Sequence, residues 1–207
     1  YTYVPYIGLA FMLGIWLNQY RNRLSKHLSW IVPGSISIVF GFITFQQTKV
    51  WKNNGTLWSN VIRHYPNLPV ARSNHANYLI SLAVNTNNKD SVAELYQQAL
   101  EDCTIALQAK PDDEESLANR QNIYLNQNKD SLAFADAKSL IKIKPANKTG
   151  YYTRGVVYTR FNQPEKALAD LNHCLSLYSS GDYVYSQRAF VLITYYRKYE
   201  EAETDYN

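Results

Sequence analysis

The chain has 207 residues, 46% of them hydrophobic, two cysteines and a formal net charge of +4. Two cysteines without a CxxC pair or a His/Cys cluster exclude a disulfide scaffold and a zinc site. The charge is uneven: residues 1–89 hold eight Lys or Arg and no Asp or Glu, and the rest hold thirteen basic and seventeen acidic side chains. In the basic part, long apolar runs interrupt the positive residues, which argues against a nucleic-acid partner.

Tyr3–Leu17 and Leu28–Phe45 are uncharged and mostly apolar, and each is close to the ~20 residues needed to cross a hydrocarbon core. Tyr1, Tyr3, Tyr6 and Trp16 flank the first run, and Trp30 and Trp51 flank the second, as an aromatic belt would. Residues 1–47 are expected to form two transmembrane helices, so that the lipid bilayer is itself a partner. A buried soluble hairpin is the alternative. Arg21, Arg23 and Lys26 crowd the intervening loop and place it in the cytoplasm by the positive-inside rule. The remainder is then expected on the other side of an integral membrane protein: periplasm, exterior or lumen.

Residues 48–66 are a junction. Asn53-Asn54-Gly55 reads as a turn, and Thr56 as the cap of a helix bearing Leu57, Trp58, Val61, Ile62 and Tyr65, ended by Pro66. Its apolar stripe suits a half-repeat covering the end of a helical stack. It also suits a helix at the membrane surface, with Trp58 and Arg63 at the headgroups.

From Pro69 onward the sequence repeats itself. Pro111 and Pro145, Tyr151 and Tyr185, Arg154 and Arg188, and Ala133 and Ala167 are pairs 34 apart. Tyr151–Leu177 is the most regular copy: two helical patterns split by Asn162-Gln163-Pro164, with the small residues Gly155 and Ala167 where the helices meet. Repeats are expected at about 69–111, 112–145, 146–179 and 180–207. In the last, Ala202, Asp205 and Tyr206 echo Ala167, Asp170 and Leu171 with one residue inserted. The first fits only with about eleven extra residues, assigned to a polar loop at Ala83–Ser91. This spacing of small and large residues closed by Pro resembles the tetratricopeptide repeat (TPR). The implied fold is all-α: the two transmembrane helices followed, over residues 67–207, by a right-handed TPR solenoid of about four repeats.

A second resemblance covers roughly the first 65 residues. Tyr1-Thr2-Tyr3-Val4-Pro5-Tyr6-Ile7-Gly8 is similar to the "RYTYLPSIG" stretch that opens a late membrane helix in transmembrane-and-TPR glycosyltransferases of the GT-C type, O-mannosyltransferases included, with Val4 and Tyr6 differing. The resemblance implies that this chain is the C-terminal part of such an enzyme. No Asp or Glu precedes Asp90, so catalytic carboxylates of such a parent are expected upstream of Tyr1. A non-enzymatic, membrane-tethered TPR scaffold is the alternative.

No catalytic residue, cofactor site or metal site is expected from the chain itself: no Ser/His/Asp set, phosphate loop or zinc motif is recognisable. Asp112, Asp113, Glu114 and Glu115 read as the solvated first turn of a helix, where acids favour the dipole. Cys103 and Cys174 read as small buried hydrophobes. The activity expected of the repeats is binding of a protein or peptide in a groove lined by their first helices. By register the groove includes Asn77, Asn122, Leu125, Tyr152, Val156, Thr159, Tyr183 and Phe190. The two Asn amides would bond a peptide backbone, and the aromatic residues would anchor side chains.

Overall fold

The structure, a computed structural model, describes residues 11–12, 14–15, 18–19, 28–177 and 181–206. The described residues form helices and no strand. The chain divides into two compact units, Tyr1–Lys52 and Asn53–Asn207.

In the first unit the described helix is α1 (Leu28–Val50), with Pro33 inside it. It exposes Ile38, Val39, Phe42 and Phe45. Among the described residues no helix is long and apolar enough to cross a membrane. Gln46, Gln47, Thr48 and Lys49 then make the helix end polar. The span expected at Leu28–Phe45 is therefore not found among the described residues. Most of the first expected span, and Tyr1–Gly8 with it, lies outside the described residues.

The second unit is a stack of helical pairs. It opens with α2 (Asn54–His64), followed by α3 (Pro69–Val84) and α4 (Lys89–Ala109), α5 (Glu114–Asn126) and α6 (Asp130–Ile143), and α7 (Lys148–Arg160) and α8 (Pro164–Leu177). It closes with α9 (Asp182–Val191), a π-helical turn at Leu192–Tyr196, and α10 (Tyr199–Tyr206). The four expected repeats are the pairs α3/α4, α5/α6, α7/α8 and α9/α10, and α2 packs on α3.

Local chemistry sets the boundaries. The N-cap of α2 is Asn53, not Thr56. The Asn53 side chain accepts from the Thr56 N–H at 2.9 Å, and Thr56 Oγ1 accepts from the Asn53 N–H at 3.2 Å, which is a reciprocal capping box. Asn88, Asp113 and Asn147 cap α4, α5 and α7 by accepting from main-chain N–H groups of the first turn. The surplus residues of the first repeat lengthen its helices instead of its loop. α3 has 16 residues and α4 has 21, against 13 and 14 for α5 and α6. Asn88 is the reason, since its cap recruits Lys89, Asp90 and Ser91 into α4 and leaves only residues 85–88 between the helices.

Within each pair small residues allow close approach. A Cβ on Gly155 would lie 3.1 Å from Leu171 Cγ and 3.4 Å from the Ala167 carbonyl oxygen, which is the contact expected from sequence. A Cβ on Gly55 would lie 2.1 Å from the Tyr78 ring, so Gly55 lets α2 lie directly on α3. Ala76, Ala99, Cys103 and Ile123 form a core around the first repeat, and Ala167, Leu171, Cys174, Val184 and Val191 form another around the third and fourth. Each fully buried aliphatic side chain such as Leu171 contributes roughly 1.5–3 kcal/mol of transfer free energy.

Candidate functional site

The first helices of successive repeats lie side by side, and polar contacts lock them. Asn119 Nδ2 donates to the Ser73 carbonyl at 3.0 Å, joining α5 to α3. Arg160 Nη1 donates to the Leu125 carbonyl at 3.2 Å and to Asp130 Oδ1 at 2.5 Å. Tyr195 Oη donates to the Thr159 carbonyl at 3.0 Å. The groove expected from sequence runs across these helices. Asn77, Asn122, Tyr183 and Phe190 are exposed, and Leu125 and Tyr152 are half-buried. Val156 and Thr159 are buried and leave almost no surface for a ligand: the Thr159 hydroxyl donates to the Gly155 carbonyl at 2.9 Å. Tyr152 and Tyr183 meet edge-to-face at 4.7 Å between ring centroids, which orders the aromatic end of this face. Burial, with the Tyr183 hydroxyl beside it, raises the Tyr152 pKa above the ordinary phenol value, so Tyr152 stays a neutral donor and acceptor. The Asn122 side-chain oxygen already accepts from Asn126 Nδ2 at 3.0 Å, so a peptide would meet the Asn122–Asn126 amide pair.

Behind this face runs a repeated ion pair that the sequence reading missed. Arg120 Nε and Nη2 donate to the two oxygens of Asp136, both at 2.7 Å. Arg154 holds Asp170 the same way at 2.7 and 2.8 Å. Arg188 grips Asp205 through the same two nitrogens. All three carboxylates are buried. The guanidinium pKa values are raised, first by the hydrogen bonds to these carboxylates. Each Arg is the seventh residue of its first helix, and each Asp follows sixteen or seventeen positions later on the second. That offset, recurring at the repeat period, is a legible signal. The sequence shows part of it directly, in the recurrence of Arg154 at Arg188 and of Asp170 at Asp205. In the first repeat the seventh residue is His75, and Asp102 accepts from both His75 Nδ1 and Arg72 Nη1 at 2.6 Å.

The acidic run stands at the start of α5, but Asp113, its N-cap, is buried and not solvated. Asp113 accepts from the Ser116 N–H at 3.1 Å, Glu114 pairs with Lys144 at 2.8 Å, and Glu115 accepts from the Ser73 hydroxyl at 3.3 Å. Among the described residues no group of three or more His, Cys, Asp or Glu is arranged to hold a metal ion.

Solved structures share this fold. A thermophilic TPR protein of Thermus thermophilus superposes with a TM-score of 0.60 at 18% identity, over 79% of this chain and 84% of that one. MamA from Desulfovibrio magneticus gives 0.57 at 16% identity, over 74% and 92%. YrrB, described as a TPR protein with an unusual peptide-binding site, gives 0.56 at 18% identity, over 72% and 70%. At such identities these likenesses establish the TPR fold and nothing finer. The curated proteins contain no match. The family model of the ChAPs, the Chs5p-Arf1p-binding proteins, matches residues 76–191, more than half of the chain, and the chain belongs to that family.

Proposed function

We propose that the repeats form a protein-binding module that holds an extended peptide across the first helices of its repeats. The observation that carries this reading is one face that combines exposed amides, at Asn77 and Asn122, with exposed aromatic anchors, at Tyr183 and Phe190. Carboxamides bond a peptide backbone whatever its sequence, and aromatic anchors dominate interface energetics. The peptide-binding site in the name of YrrB agrees with this use of the fold, and the family name makes Chs5p-type and Arf1p-type proteins the first partners to test. The test is surface plasmon resonance of the whole chain against each of these two proteins. A Tyr183→Ala/Phe190→Ala variant is expected to bind at least ~10-fold more weakly, as loss of two anchors costs more than 1 kcal/mol each at a hot spot. Unchanged affinity in that variant would refute the groove, and no binding by the parent would remove both partners.

We also infer that the module is tethered to a membrane with its repeats on the non-cytoplasmic side. The exposed Ile38, Phe42 and Phe45 of α1 favour this reading, because such surface is stable only when covered. After carbonate washing of expressing membranes the chain is expected in the pellet; release into the wash counts against tethering. A thiol reagent is expected to label a cysteine placed at Ser131 from the non-cytoplasmic side, and cytoplasmic labelling would reverse the orientation. The resemblance of Tyr1–Gly8 extends the proposal to a glycosyltransferase parent, which several further spans and an acidic loop in the reading frame upstream of Tyr1 would support.

A further inference from the structure

Three side chains from three helices of the second unit form one hydrogen-bonded line. Ser59 Oγ of α2 lies 3.1 Å from His75 Nε2 of α3, and His75 Nδ1 lies 2.6 Å from Asp102 Oδ2 of α4. Asp102 is buried, the His75 side chain is 19% exposed, and Ser59 is exposed. The other oxygen of Asp102 accepts from Arg72 Nη1 at 2.6 Å, so both carboxylate oxygens are engaged. A carboxylate beside Nδ1 favours the tautomer with its proton on that nitrogen, in which Nε2 accepts from the Ser59 hydroxyl.

The other repeats show why this line is more than the stack requires. At the position of His75 they carry Arg120, Arg154 and Arg188, each giving two bonds to its Asp. Arg would tie α3 to α4 equally well, but its guanidinium has no acceptor nitrogen. Histidine in this one repeat keeps the bond to the carboxylate and turns a basic nitrogen toward an accessible hydroxyl. Arg63 stands one turn beyond Ser59 at i+4 on α2, also exposed.

We propose that Ser59 is a nucleophile activated by His75, and that the site cleaves small carboxylic esters with good leaving groups. Ser59 Oγ bonds to the carbonyl carbon while its proton passes to His75 Nε2. The bond from that carbon to the leaving oxygen then breaks, and the Nε2 proton goes to the departing alcohol. Water, losing its proton to the same nitrogen, attacks the acyl-serine; the acid leaves and Ser59 regains its hydrogen. Asp102 is a positioning residue that fixes the tautomer and orientation of His75.

The test treats the intact chain with a fluorophosphonate, which phosphonylates an activated serine with loss of fluoride, and reads each serine by peptide mass spectrometry. The adduct is expected on Ser59, forming at least ~10-fold faster than on Ser81, an exposed serine whose hydroxyl donates to the Tyr78 carbonyl. His75→Arg rebuilds the pair found in the other repeats. It is expected to melt at or above the parent's temperature and to label Ser59 about 100-fold more slowly, the scale of general-base catalysis. Asp102→Asn is expected to slow labelling, with part of the rate restored in Asp102→Glu. Hydrolysis of p-nitrophenyl acetate should fall in parallel with Ser59→Ala. Equal labelling of Ser59 and Ser81, or an undiminished rate in a folded His75→Arg chain, would overturn the proposal.

Discussion

Gln121 holds the position that Ala76, Gly155 and Ala189 hold in the other repeats, the eighth residue of the first helix, where the second helix comes closest. It is fully buried, and neither its amide nitrogen nor its amide oxygen has a hydrogen-bond partner. A buried unpaired polar group costs about 1–3 kcal/mol. Methionine fills nearly the same volume without polar hydrogens or a strong acceptor. Gln121→Met is therefore expected to raise stability by about 1–2 kcal/mol, read as a higher urea midpoint at unchanged slope. A lower midpoint would mean that the amide finds partners in solution. The buried Arg–Asp pairs carry the opposite lesson. Each is satisfied on both oxygens, and removing one member strands a desolvated charge.

Helix boundaries show how the elements absorb irregular spacing. The fourth repeat carries one extra residue, and the π-helical turn at Leu192–Tyr196 takes it up. As a result Arg188 still reaches Asp205 although their separation is seventeen rather than sixteen. The chain leaves the first helix of the second, third and fourth repeats through a residue with positive φ: Asn128 at 56°, Asn162 at 55° and Arg197 at 56°. Asparagine tolerates this left-handed conformation, whereas a long side chain is strained in it. Arg197→Gly is expected to stabilise the chain by roughly 0.5–1 kcal/mol, and Arg197→Asn by less. Thermal melting of the two variants checks the order; a Gly variant less stable than the parent would show that the Arg197 side chain contributes a contact outweighing the strain. The long α4 makes a parallel point: an insertion settles where a cap can extend a helix, not where composition looks polar.

At the scale of the whole molecule, packing of the repeats controls how stability responds to alkali. Burial, reinforced by the Asp102 carboxylate, pushes the Cys103 thiol from its ordinary value of 9.0 up to about 12. Burial raises Cys174 and Tyr96 as well. The unfolded chain loses the Cys103 proton near pH 9, whereas the folded chain holds it until about 12. This contribution to stability is thus complete below pH 9 and is lost as pH rises toward 12. Urea midpoints are expected to stay level from about pH 7 to 8.5 and to fall above about 9, with a shallower fall in Cys103→Ala. A midpoint level to pH 11, or an identical fall without Cys103, would contradict the assignment.

The period, the small residues at Gly155 and Ala167, the buried cysteines and the inserted residue in the last repeat were all legible in sequence. They are contacts between neighbours in a stack that repeats, so their spacing is linear in the chain. Of the residues that the same register assigns to a groove, Asn77, Asn122, Tyr183 and Phe190 are exposed, whereas Val156 and Thr159 are buried because a first helix is covered on two sides. Tertiary structure alone decided the rest. Whether a helix start gives its cap to Asn53 or Thr56 depends on backbone geometry that composition does not express. Ser59, His75 and Asp102 lie far apart along the chain and meet only because α2 lies on α3 through Gly55 while the long α4 returns alongside. A period can announce that helices pair, but a hydrogen bond is directional, and its direction exists only once the helices are placed.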